Sequence, residues 1–202
     1  METTTTHADA IAAAADEMAA LATAITDDLL GRPTPCPDLD LGTMLGHIDM
    51  LSRAFAAAGR KEKGPLTSSP PDPAASELGD DWRETLPGHL RDLATSWRDP
   101  AAWEGMTQVG GIDAPGQVLG TVALSELVLH GWDVARSVGA DLTLSDDVLQ
   151  VVYDFHYPPQ PQDERDGMFG PVVEVPADAR LVDRLAGLTG RDPFWPHGSL
   201  EE

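Results

Sequence analysis

Apolar residues return at steps of three and four over four long stretches of this chain, and glycine or proline interrupts or closes them. Each such stretch carries one apolar stripe if helical, and helices of this kind cover their stripes by packing on one another. The first, over 7–30, is alanine-rich, with Ile11, Met18, Leu21, Ile25 and Leu29 in step, and Gly31, Pro33, Pro35 and Pro37 stop it. Asp40 is placed to cap a second helix over 41–58, whose stripe is Met44, Ile48, Leu51 and Phe55 and whose end is Gly59. A third covers 76–97, with Pro87 and Gly88 arguing for a kink or break in its middle. The fourth covers 117–138 and meets Gly139 in the stop position.

Between these helices, RKEKGPLTSSPPDPAAS reads as a polar surface connection, because neither flank holds a complete core. WEGMTQVGGI alternates weakly and ends in a glycine pair, which fits a short extended excursion or hairpin. SDDVLQVVYDFHY is a short fifth helix ending at Pro158 and Pro159, and ADARLVDRLAGLTG a last one before RDPFWPHGSLEE trails off. The predicted fold is all-α: an antiparallel four-helix bundle over about 7–140 with a small C-terminal helical extension over about 141–202, taken as a single domain. No internal repeat, coiled coil or phosphate-cradling glycine motif interrupts this reading.

Thirty-four acidic against thirteen basic residues give a formal charge of -21, which repels phosphate backbones and anionic lipid, so neither nucleic acid nor membrane is an expected partner. The lone Cys36 cannot close an intramolecular disulfide, and the N-terminal stretch has neither a basic region nor an unbroken apolar run, so a reducing cytoplasm is the expected location. Dimerisation is compatible with exposed apolar helix faces, although no residue pattern specifies it.

The chemistry-bearing residues sit in LSELVLHGWDVA. Glu126 and His130 are four residues apart on the fourth helix and project from one face. Imidazole and carboxylate together suit zinc or another borderline divalent ion, and His47, at the edge of the second helix's apolar stripe, is the natural third ligand. Each feature also has an ordinary explanation: a helix-surface ion pair for Glu126 and His130, a hydrogen-bonded core imidazole for His47. Asp133, three positions after His130, is placed either to orient a ligand or accept a proton, or to pair with Arg136 on the surface. Trp132 points away and reads as packing, Tyr153 and His156 as pocket rim or simple packing, and His89 as the residue that could close the site with a fourth bond. The segment QPQDERDGMFGPVV, with Met168 and Phe169, is either a lid or a connector that packs the extension on the bundle.

TPCPDLDLGTMLGHIDMLSRAF, followed by SELVLHGWDVARSVG, resembles the DinB-like superfamily and is more closely similar to the N-terminal domain of mycothiol-dependent maleylpyruvate isomerases and their actinobacterial metal-binding relatives. FGPVVEVP and GRDPFW look like one branch of those relatives. The resemblance implies a four-helix bundle and a divalent metal held at the positions of His47, Glu126 and His130. It further implies an S-transferase or isomerase that uses the metal to bind a low-molecular-weight thiol such as mycothiol and act on a small electrophile. The large C-terminal domain of the full isomerases has no room in this sequence, so their specificity is not carried over. Zinc is the default ion, and nickel, iron or manganese are alternatives that two histidines and a carboxylate also accept. The rival readings are a metal-binding stress or binding protein without turnover, and a hydrolase using metal-bound water.

Overall fold

The computed structural model describes residues 6–70, 72 and 76–195. In chain order its helices are α1 (His7–Thr23), α2 (Leu41–Gly59), the single turn α3 (Pro65–Ser68), α4 (Trp82–Ser96), the single turn α5 (Pro100–Trp103), α6 (Gly116–Val138), α7 (Asp146–His156), the single turn α8 (Gln162–Arg165) and α9 (Leu181–Leu188). A two-stranded hairpin, β1 (Met106–Val109) and β2 (Ile112–Pro115), precedes α6, in register with Val109 opposite Ile112. Its two-residue turn is Gly110-Gly111, both at positive φ, the conformation that suits a tight hairpin and that side chains resist. The protein is helical apart from this small sheet.

Local chemistry sets the helix ends. Thr6 Oγ1 accepts from the Asp9 amide at 3.1 Å and Asp40 Oδ1 from the Thr43 amide at 2.8 Å, so α1 and α2 both begin on side-chain caps. The first helix stops at Thr23, short of the expected 30, where Thr26, Asp27 and Asp28 favour local turns and the chain passes into a 3-10 turn. Ile25 is still fully buried, so its place in the periodic pattern reported core membership correctly but not helicity. The third long helix begins at Trp82, not at 76, and runs through Pro87 without a break. The carbonyl that loses its donor there belongs to Arg83, an exposed residue that water can serve.

Helices α1 and α2 are each packed against both α4 and α6. Along α2 and α4, Asp49 meets His89 and, further on, the Phe55 carbonyl accepts from Trp97 Nε1, so these two run in the same direction. Consecutive helices that run the same way need a long return, and 60–81 supplies it. Across α4 and α1, Arg83 donates to the Ile25 carbonyl, start against end, and the pair is antiparallel. His47 faces His130 while Lys61, just past α2, reaches the segment before α6, so α2 and α6 are antiparallel as well. The core between them is apolar and closely filled, with Trp97, Ile11, Met18, Met44, Leu86 and Leu124 among its fully buried side chains.

Helix α6 is long and apolar enough to cross a membrane, but most of that stretch is buried inside the bundle, which accounts for its composition. Near its start, Gly120 lies under two indoles, Trp97 and Trp103, whose rings meet edge to face. A β-carbon at Gly120 would fall 2.5 Å from the Trp103 ring and 2.7 Å from that of Trp97. Gly120→Ala is expected to destabilise by about 1–3 kcal/mol despite alanine's better helix propensity, measured by urea unfolding. A stabilised variant would show that the indoles move aside freely.

Candidate metal centre

Two helices bring the centre together. His47 comes from the middle of α2, beside Ile48 in the apolar stripe, and Glu126 and His130 from successive turns of α6. One ligand-capable atom from each of the three lies within 4.8 Å of the others. The two imidazole rings meet at nearly a right angle with centroids 5.2 Å apart, and His130 Nε2 lies 3.0 Å from Glu126 Oε2. His47 is 5% exposed, and its buried Nδ1 finds no hydrogen-bond partner among the described residues. A buried, partnerless ring nitrogen beside two further donors costs free energy that coordination of a cation would recover, and two imidazoles with a carboxylate are a donor set that borderline divalent ions accept.

Electrostatics separate the two histidines. Burial, helped by the neighbouring charge of His130, drives the pKa of His47 well below its ordinary value. Burial acts in the same sense on His130, but hydrogen bonds to Asp133 and Glu126 overcome it and hold the imidazole pKa above its usual range. Glu126 is likewise kept acidic against its burial by His130.

Asp133 is fully buried and engaged twice. Its Oδ2 lies 3.1 Å from His130 Nδ1, while Arg191 forks onto it, Nε donating to Oδ1 at 2.9 Å and Nη2 to Oδ2 at 2.8 Å. Asp133 is therefore not a surface charge: its carboxylate lies inside the protein between His130 and Arg191. Arg191 was not legible as a site residue, because it falls in the tail after the last helix. The sole hint was the glycine before it in GRDPFW.

The remaining candidates divide. His89 stands on α4 with Nδ1 2.6 Å from Asp49 Oδ1, outside the cluster. Trp132 is 4% exposed and carries the Arg136 guanidinium over its ring, in keeping with packing. Tyr153 stacks on Tyr157 and accepts a hydrogen bond from Arg184. His156 turns inward from α7, its Nε2 2.7 Å from Ser125 Oγ and its ring edge-on to Phe169. The 158–176 segment is tied down as a connector: buried Arg165 donates to the carbonyls of Gly170 and Leu188, and the Val173 amide donates to the Gly187 carbonyl. Phe169 packs on the core while Met168 points to solvent.

A cavity of about 600 Å³ opens elsewhere, between α2 and the start of α4, with Asp49 and His89 in its wall. A small void of about 10 Å³, lined by Ile48, Phe55, Leu93 and other apolar side chains, touches Glu126 and His130. The candidate centre is marked by convergent donors and not by volume, since the larger cavity includes none of the three clustered residues.

Fold and site together define a helical-bundle protein with a two-histidine, one-carboxylate cluster at the α2/α6 contact. The family model described as the mycothiol maleylpyruvate isomerase N-terminal domain matches residues 11–135, and the chain belongs to that family. Two Mycobacterium tuberculosis proteins, both called uncharacterized, one from strain CDC 1551 / Oshkosh and one from strain H37Rv, are each 27% identical over 134 residues. The match spans 65% of this chain and 66% of each relative. Crystal structures of the mycothiol-dependent maleylpyruvate isomerase and of a mutant of it superpose with TM-scores of 0.54 and 0.56 at 15% and 14% identity, covering 72% of this chain and 65% of theirs. At that identity the likeness is one of fold.

Because burial first, and the nearby charge of Arg191 next, lower the pKa of His156 from 6.5 to about 4, this imidazole stays neutral in the folded state where it would be charged in the unfolded chain. Its contribution to stability is present above about pH 6.5 and lost as the pH falls from there through about 4. Denaturant titrations over that window should therefore show a steeper acid loss for the native protein than for His156→Gln. Equal slopes would mean that His156 is solvated.

Proposed function

We propose that the protein is a divalent-metal-dependent enzyme of the thiol S-transferase or isomerase type, in which His47, Glu126 and His130 hold the ion, Asp133 orients His130, and a small electrophile is the substrate. The observation that carries this reading is the convergence of the three donors, with the buried Nδ1 of His47 lacking a hydrogen-bond partner among the described residues. When bound, zinc or a similar ion supplies Lewis-acid activation, lowering the pKa of a thiol brought to it.

The protein's own groups would do the rest. Glu126, the most open of the three with its side chain 35% exposed, faces the side from which a substrate would enter. Apolar Ile48, Leu51 and Phe55 on α2 keep the inner side dry, which strengthens every charge interaction at the cluster. The reacting sulfur is better sought in a cofactor than in the chain: burial, then the negative charge of Asp133, raise the Cys36 thiol pKa, the opposite of what a nucleophile needs. Mycothiol, on which the structurally similar maleylpyruvate isomerases depend, is the thiol to test first. A purely structural ion is usually closed by a fourth protein ligand, and His89, which was placed to provide it, is held by Asp49 instead.

Elemental analysis of the purified protein should find close to one equivalent of a divalent metal, with zinc the first candidate, and His47→Ala and His130→Ala should each lose most of it. Full retention in both variants would dismiss these ligands. Titrating the cobalt-substituted protein with mycothiol should then change its visible absorption, and a spectrum indifferent to thiol at saturating concentration would favour a binding protein or a hydrolase.

A further inference from the structure

The match to the family model ends at residue 135, yet the residue that grips Asp133 comes from 191, on the far side of α7, α8 and α9. This tail is deliberately placed. Helix α9 ends at Leu188, and Gly190, whose φ is 80°, reverses the chain just beyond it, with the Arg191 amide donating back to the Ala186 carbonyl at 2.9 Å. Gly190 also lies so close to Gly170 that a β-carbon there would fall 2.5 Å from the Gly170 carbonyl oxygen. The segments FGPVVEVP and GRDPFW thus touch glycine to glycine, and Arg165, 4% exposed, bridges them by donating to the carbonyls of Gly170 and Leu188. The turn sends Arg191 inward, where its side chain, 10% exposed, meets the fully buried Asp133 carboxylate through two parallel hydrogen bonds. Arg136 secures the next residues by donating to the carbonyls of Pro193 and Trp195.

We infer that Arg191 is a positioning residue of the metal centre: by clamping Asp133 it holds the His130 ring in its ligating orientation, so the C-terminal segment is part of the site. The inference rests on the metal reading above. A ligating histidine is usually fixed through its second ring nitrogen by a carboxylate, and such a carboxylate must itself be held. The Asp133 carboxylate can turn about its Cβ–Cγ bond, so an imidazole edge alone leaves its plane free to rotate. A bidentate guanidinium fixes that plane, and a lysine at the same place supplies charge without the fork.

Zinc affinity should be measured by competition with a chromophoric chelator for the native protein, Arg191→Met, Arg191→Lys, Asp133→Asn and the double variant Asp133→Asn/Arg191→Met, with the visible spectrum of the cobalt forms recorded alongside. Arg191→Met is expected to weaken zinc binding by about tenfold or more, with Arg191→Lys in between, and to alter the cobalt bands. In the Asp133→Asn background the arginine substitution should add little, because its route is already cut. Circular dichroism identifies a variant that has lost its fold, and Arg191→Lys, which keeps the charge, then carries the test. Tight native binding with unchanged affinity and spectrum in the folded arginine variants overturns this inference while leaving the ligand assignment standing. Full additivity in the double variant overturns the route through Asp133. A native protein that takes up no zinc or cobalt removes both this inference and the reading beneath it.

Discussion

The interaction on which the site depends is the one around the Asp133 carboxylate. A charge with no exposure to water is tolerable only when opposite charge and hydrogen bonds replace its hydration, and here an imidazole and a guanidinium do so from opposite parts of the chain. Arg191, against the cost of its own burial, is likewise held charged by this pairing. Remove either partner and the remaining groups must shift, so the interior of α6, the orientation of His130 and the docking of the C-terminal tail are one problem with one solution.

That solution shapes the rest of the bundle. Helix α6 has to be buried on nearly every side: α1 and α2 cover two faces, α7 a third, and the tail closes over Asp133 and Arg136. This is why a segment carrying glutamate, histidine, aspartate and arginine still reads as apolar. Its polar groups are satisfied within the protein rather than by water. The same burial separates the two imidazoles electrically, because His47 has only the cluster beside it whereas His130 lies between two carboxylates.

Most of the bundle was legible from periodicity, since apolar steps of three and four mark both helix and core. It failed where the two part company: Ile25 is core without being helical, and Pro87 is helical because the bond it removes faces solvent. His47, Glu126 and His130 were legible because ligands four apart on one helix share a face by geometry alone, and a third on an apolar stripe has few places to point. Arg191 was not, because nothing local ties a residue after the last helix to one on α6. Only the three-dimensional approach of Gly190 to Gly170 places it. The 158–176 segment was ambiguous for a related reason: a buried arginine bonded to backbone carbonyls looks, in sequence, like any charged loop residue.

The 58-residue separation between Asp133 and Arg191 has a consequence for how the molecule comes into being. On a ribosome the four long helices are complete before the arginine has been polymerised, so for that interval the nascent bundle carries an aspartate without its cation. Closure of the interior is therefore a late, C-terminal event in assembly, even though the helices that enclose it are made early.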